Sequence, residues 1–385
     1  MEREFSNPSL REFRVKTMRI FLVAGTRPQI IKSVPVIQEA NRRGVELQIV
    51  HTGQHYDYNM SDVFFENFSI PEPIVNLGVG SGTQGYQTGE IIIRLEKFLI
   101  EEQPDLVVVP GDTNSALASA IATVKLGIPL AHIEAGARSY NMAMQEEINR
   151  RVIDHISTLL FTVSRNCKEN LLREHVLGKM IVSGDTMYDI YEHSLPTIGD
   201  SDILDRLKLV PKEYSILTLH REENVDNAGR LTTIMRAITS LNTKVVFPIH
   251  PRTKKRLQHL SLNSHNLVIT NPLDYFSMMK LVRESLLVLT DSGGLQKEAF
   301  WSKVPCITLR DETEWVETVK EGVNVLVGAD KNKILDVVNS VIRDYNTMIS
   351  NFKAANLTRL YCVARKAIIK SILEHLKKIS LDNNC

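Results

Sequence analysis

Residues 18–32 read MRIFLVAGTRPQIIK. After Arg19 the run is apolar without alternation, and it stops at Gly25-Thr26-Arg27-Pro28, where a helical pattern begins. A short continuous apolar run followed by a helix is the pattern of a strand buried on both faces in a parallel sheet. The same design recurs in DLVVVPGDTN (105–114), IPLAHIEAG (128–136), YSILTLHR (214–221) and SLLVLTDSGG (285–294). Each run ends in a charged or Gly-rich turn. Ligands of open α/β sheets bind outside the carboxyl ends of the strands, so these turns are expected to build one site.

Working outward, VELQIVHTG (45–53), LLFTVS (159–164) and MIVSGDT (180–186) complete the strands of the first half. Helical stretches are expected at 28–43, 86–102, 114–126, 145–157 and 165–174. The second half adds KVVFPIH, NLVIT, VPCITLR and NVLVG, with helices at 228–240, 274–283, 294–302 and 331–346. The fold class is therefore α/β, with two Rossmann-like domains facing across a cleft. We divide the chain into an extension at 1–17, domains at 18–185 and 186–360, and a helix at 361–385 that packs back on the first domain. The polar stretch 192–212, with Pro196 and Pro211, reads as the entry to the second domain.

Lys plus Arg number 46 and Asp plus Glu 45, a net charge of +1 with no basic stripe, which argues against nucleic acid. Cys167, Cys306, Cys362 and Cys385 are scattered, giving neither a disulfide framework nor a zinc pattern. No apolar run is long enough to span a membrane, and residues 1–17 lack the apolar core of a signal peptide. A cytoplasmic protein without membrane contact is expected.

Gly25-Thr26-Arg27-Pro28 opens a helix carrying Lys32, so Arg27 and Lys32 join free backbone N–H groups near the cleft. By spacing alone this is equally a solvated strand–helix turn, and it is neither a Walker loop nor GxGxxG. Ser292, Gly293 and Gly294 start another helix and suit a diphosphate, with Glu298 one turn on for ribose hydroxyls. A Gly-Gly turn also serves tight packing. Asp112 and Glu134 end successive strands and Glu146 opens the next helix; clustered carboxylates suit acid/base chemistry. Taken singly, Glu146 and Glu147 read as acids at a helix N-terminus. His220 and His250 end two strands of the second half, and no His/Asp/Glu set has metal-ligand spacing.

These motifs occur in a fixed order: Gly25–Lys32, Gly111-Asp112-Thr113, His132–Gly136, Glu146–Arg150, His220-Arg221-Glu222 and Ser292–Glu298. The chain from about Met18 to 375 resembles the non-hydrolysing UDP-N-acetylglucosamine 2-epimerases. The resemblance implies the GT-B fold, a UDP-sugar substrate, no cofactor or metal, and a homodimer. It implies epimerisation at C2 by anti elimination of UDP, through a 2-acetamidoglucal, and re-addition. By position Asp112, Glu134 and Glu146 would be the acid/base carboxylates. Arg27, Lys32 and His220 would stabilise the departing diphosphate, and Ser292, Gly293, Gly294 and Glu298 would bind phosphate and ribose. His250 would add a diphosphate contact and Met278 would line the uracil pocket, beside Tyr275 and Phe276.

The chain departs from the family pattern at Trp315, where many members carry Arg; Arg310 is the substitute cation. Gln54-His55-Tyr56 replaces the Gln-His-Arg run of an allosteric site, so that activation is not expected. The alternatives that the sequence leaves open are a 2-epimerase of a modified UDP sugar such as a diacetamido uronic acid, a hydrolysing epimerase, a GT-B glycosyltransferase and a non-catalytic sugar-nucleotide sensor. The expected product, UDP-ManNAc, would feed surface polysaccharide or glycoprotein glycans.

Overall fold

The computed structural model describes residues 18–54, 71–258, 264–354 and 363–382. The extension at 1–17, His55, Tyr56, Cys362 and Cys385 lie outside the described residues. Two parallel sheets organise the chain. The first has seven strands in the order β3-β2-β1-β4-β5-β6-β7, the second six in the order β10-β9-β8-β11-β12-β13. The first comprises β1 Ile20–Ala24, β2 Leu47–His51, β3 Val75–Asn76, β4 Leu106–Pro110, β5 Leu130–Ala135, β6 Leu159–Thr162 and β7 Lys179–Val182. The second comprises β8 Tyr214–Thr218, β9 Lys244–Pro248, β10 Leu267–Thr270, β11 Leu287–Thr290, β12 Cys306–Thr308 and β13 Asn324–Leu326. Strand order reverses between β1 and β4 and between β8 and β11, which opens a crevice at the carboxyl ends of these strands in each sheet.

Both sheets are covered on two faces, as the apolar runs require. In β1, Ile20, Leu22 and Ala24 enter one core while Phe21 and Val23 enter the other, and β4 alternates in the same way. Each fully buried Leu, Ile or Phe contributes roughly 1.5–3 kcal/mol of transfer free energy, so these strands anchor the sheet.

The expected strands all form, and the two-residue edge strand β3 is additional. The stretch 192–212 differs from expectation. A helix spans Thr186–Asp200, through Pro196, and a short one follows at Ile203–Leu207. The Asp185 carboxylate caps the longer helix by accepting from the Met187 N–H at 2.9 Å. Ile190, Ser194 and Ile198 recur every four residues on its buried face, and that packing outweighs the proline. The helix expected over 331–346 stops at Arg343, and another runs Tyr345–Ala354.

The final helix, Arg365–Asp382, places Ile368, Ile369, Ile372 and Leu376 in the first sheet's core, with Val34 and Ile37 of helix Arg27–Arg42. Its start is held by Asp189, which accepts from the N–H groups of Ala364 and Arg365 at 2.9 and 3.0 Å. Burial still pushes the Asp189 carboxyl up to about 6 against those donors. No helix among the described residues is long and apolar enough to cross a membrane.

Candidate active site

The strand ends are tied together before any ligand is considered. Gln29 of the first helix accepts from the Gly25 N–H at 3.0 Å and donates to the Pro110 carbonyl at 2.8 Å, clamping the β1 turn to the end of β4. Gly25 is there because the strand ends meet. A Cβ on it would lie 1.9 Å from Thr52 Oγ1 and 2.1 Å from Ser115 Oγ. Beyond the clamp a cavity of about 500 Å³ opens, of the size that holds small ligands. Lys32, Gly111, Asp112, Asn114, Glu146 and Asn149 are among its walls.

Asp112, 30% exposed, accepts from Arg150 Nη2 at 2.6 Å, and its backbone carbonyl accepts from Asn149 Nδ2 at 2.9 Å. Arg150 is buried, which disfavours its charge, yet Asp112, Glu314 and Glu147 hold its pKa above the ordinary value. Glu146 lines the cavity and makes no hydrogen bond or ion pair among the described residues. The neighbouring Glu147 is buried and accepts from the Ser139 and Tyr140 N–H groups, so it anchors a loop. Two adjacent carboxylates thus divide the work the sequence left shared.

Glu134 sits at a bulge in β5, where pairing with β6 shifts register between Ile133 and Ala135. Its backbone is left-handed, with φ 74°. One carboxylate oxygen meets Lys32 Nζ and the other accepts from Lys297 Nζ at 3.1 Å. Burial opposes its charge, but the two ammonium groups outweigh that and hold the carboxyl far below its ordinary range. Gly111, φ 70°, passes close by: a Cβ there would lie 3.8 Å from Glu134 Oε2 and 3.5 Å from Lys32 Nζ.

A fully buried network supports this edge. His132 of β5 contacts Asp154 Oδ1 through Nδ1 at 2.7 Å and the Gly111 carbonyl through Nε2 at 2.9 Å. Asp154 also accepts from Arg138 Nη1 at 2.7 Å and the Gly136 N–H at 3.1 Å. Burial resists the Asp154 charge, and the donors His132 and Arg138 overcome it, lowering its pKa.

In the second half, Ser292 caps helix Gly293–Trp301 by accepting from the Leu295 N–H at 3.3 Å. Neither Gly293 nor Gly294 has a positive φ, and an added Cβ would meet only ordinary contacts at 3.5 Å or more. The fold itself therefore does not require these glycines. Asp291, buried, accepts from the His220 and Arg221 N–H groups at 3.1 and 3.0 Å and so places that turn beside the helix N-terminus. The His220 and His250 rings lie 6.3 Å apart. Desolvation lowers the His220 pKa, Asp291 raises it, and Arg221 and His250 add to the lowering. His250 Nδ1 accepts from the Arg252 N–H at 3.2 Å as a helix cap.

Glu298 is pushed up to about 7, by burial first, with Lys297 opposing and Asp185 adding. Met278 is half-buried beside Tyr275 and Phe276, which also touch the first half's core. Arg27 is half-buried at the head of its helix, and desolvation lowers its pKa. Arg310 is 1% exposed and forms paired hydrogen bonds to Glu314 at 3.0 and 3.3 Å. Trp315 lies with its ring 4.2 Å from the Lys297 ammonium. The two halves also meet where Asn141 Nδ2 donates to Glu312 at 2.7 Å.

The structure gathers Asp112, Glu146 and Lys32 around one cavity, with Glu134 behind Lys32. His220, His250, Ser292, Gly293 and Gly294 form a second group on the other sheet. Arg150, Arg221, Lys297 and Asp185 are additional polar groups here that were not singled out from sequence; Arg150, Arg221 and Lys297 carried a signal, since all three stand inside the ordered motifs. Among the described residues no three His, Cys, Asp or Glu side chains are placed to hold a metal ion.

The family model for UDP-N-acetylglucosamine 2-epimerase matches residues 38–370. A UDP-N-acetylglucosamine 2-epimerase homolog of Methanococcus maripaludis is 46% identical over 329 residues, 84% of this chain and 92% of its own. The UDP-N-acetylglucosamine 2-epimerase of Methanocaldococcus jannaschii is 42% identical over 353 residues, 88% of this chain and 96% of its own. The crystal structure of the Methanocaldococcus jannaschii enzyme with UDP-GlcNAc and UDP aligns with a TM-score of 0.80 at 40% identity, over 93% of this chain and 100% of that one. With its two facing Rossmann-like sheets and its carboxylate-rich strand ends, the chain belongs to the UDP-N-acetylglucosamine 2-epimerase family.

Proposed function

We propose that the protein interconverts UDP-GlcNAc and UDP-ManNAc by removing and re-adding UDP. The observation that carries this reading is one cavity walled by Asp112, Glu146 and Lys32, with Glu134 held behind it. In the forward direction a carboxylate takes the C2 proton as the bond from C1 to the diphosphate oxygen breaks, leaving a C1–C2 double bond and UDP. The diphosphate oxygen then attacks C1 and a second carboxylic acid returns a proton to the opposite face of C2. We assign these proton transfers to the set Asp112, Glu134 and Glu146.

Charge that develops on the leaving diphosphate is met by the N-terminus of helix Gly293–Trp301, by His220 and by Arg27 and Lys32. Glu298 is assigned to the ribose, and Met278 with Tyr275 and Phe276 to the uracil. Holding UDP and glycal in one closed crevice makes re-addition effectively unimolecular. Incubation of the purified protein with UDP-GlcNAc, with products separated by chromatography, tests the reading: UDP-ManNAc supports it, whereas free ManNAc with UDP, or no turnover, refutes it.

A homodimer is part of the proposal. Tyr86, Ile93 and Ile100, spaced by seven on helix Gln84–Glu102, are exposed by 56, 64 and 55% and give one apolar stripe for a second copy. Sedimentation of Ile93→Lys would read monomer; a dimer of unchanged affinity would remove this face from the proposal.

A further inference from the structure

We propose that Lys297 is a positioning residue for Glu134, reaching across from the second half so that the carboxylate is set for proton transfer only while the two halves are together. The proposal rests on the reading that Glu134 takes part in proton transfer at C2.

Lys297 lies on helix Gly293–Trp301, one turn beyond the cap at Ser292, and is 3% exposed. Its ammonium is fully engaged. It donates to Asp185 Oδ2 at 2.6 Å and to Glu134 Oε1 at 3.1 Å, and the Trp315 ring lies 4.2 Å away. Two carboxylates and one aromatic face account for the three donors, so Lys297 is directed at protein groups. Its ordinary preference is solvent, and burying it is tolerated because both partners are charged.

The result is a chain of alternating charge: Lys32, Glu134, Lys297, Asp185. Its members come from different parts of the fold. Lys32 is on the first helix and Glu134 on the bulge of β5. Asp185 caps the helix Thr186–Asp200, and Lys297 follows the turn of β11. If the second sheet moves away, Lys297 leaves with its helix and Glu134 keeps Lys32 alone. Closure therefore adds a second cation to the carboxylate, fixes both of its oxygens and keeps it ionised.

The charged groups facing Glu134 are Lys32 and Lys297, with Asp185 beyond Lys297 and with Glu298 and Glu317 beside that ammonium. Removing Lys297 removes one of the two cations that touch the carboxylate directly. A nearby opposite charge typically moves a carboxyl by about 1–3 pH units. With one cation gone, the burial that opposes the Glu134 charge is less fully offset, so the acid limb moves up toward the range that a rate profile reads.

The test uses the full chain and the profile of kcat against pH. Lys297→Met alone would strand Asp185, so the principal variant pairs Lys297→Met with Asp185→Asn, which retains a capping side chain. We expect it to fold, to bind UDP within about threefold of the parent, and to lose activity on the acid side, the acid limb rising by about 1 unit or more. Lys297→Arg should restore the limb. Asp185→Asn alone, which leaves Lys297 to Glu134, should keep the limb at or below the parental position. A limb that rises in Asp185→Asn alone would overturn the proposal, whether or not the double variant folds. So would profiles superimposable on the parent. A parent that does not epimerise UDP-GlcNAc sinks the functional reading first; an active parent with unmoved profiles sinks the role of Lys297 only.

Discussion

Replacing Gly25 by Ala isolates a physical claim about how the site is assembled. The added Cβ would fall 1.9 Å from Thr52 Oγ1 and 2.1 Å from Ser115 Oγ, far inside contact distance. Those hydroxyls are buried and hydrogen-bonded to each other at 2.7 Å, and Ser115 Oγ also donates to Gln54 at 2.6 Å. They are short side chains with little room to swing aside. Overpacking costs ~1–3 kcal/mol and the broken hydroxyl pair about 1 kcal/mol more, so a loss of roughly 2–4 kcal/mol is expected. Urea unfolding of the two proteins, read as a shift of midpoint at constant slope, measures it. Adding Thr52→Ala and Ser115→Ala should relieve the overlap and return part of the loss. A Gly25→Ala protein within about 0.5 kcal/mol of the parent would refute the claim that the meeting of strand ends demands glycine here.

Asp112→Asn and Glu146→Gln should each lower kcat by about 10²–10⁴ while UDP affinity stays near the parental value, as isothermal titration would show. Glu146, which has no ion-pair partner among the described residues, should lose almost no stability on that change, whereas Asp112→Asn loosens Arg150 and should lower the melting temperature. Arg138→Met leaves the fully buried Asp154 with His132 and the Gly136 N–H and should cost ~3–5 kcal/mol in urea unfolding. Glu298 is raised on folding from 4.5 to about 7. The stability tied to that shift is complete below about 4.5 and lost as pH rises to about 7, so Glu298→Gln should flatten this part of the melting-temperature profile.

The strands were legible because a parallel sheet covered on both faces writes apolar runs without alternation, and their ends carried the charges and glycines. The helix Thr186–Asp200 was hidden by its composition: Pro196 and polar residues mask a buried face that Ile190, Tyr191, Ser194 and Ile198 mark. Glu146 and Glu147 could not be told apart, since one position along a helix turns the side chain from cavity to core. The burial of Lys297, inside the Ser292–Glu298 motif, was illegible for a different reason. A helical lysine is ordinarily solvated, and what buries this one is Glu134, distant in sequence and on the opposite sheet. Likewise, the substitution at Trp315 read as a missing cation, whereas the ring faces one.

The most direct test of the account is NMR of the purified protein with UDP-GlcNAc in D2O. The account predicts UDP-ManNAc carrying deuterium at C2, with its rate collapsing in Asp112→Asn and Glu146→Gln. UDP-ManNAc that retains the original C2 hydrogen, or free sugar with UDP, would contradict it.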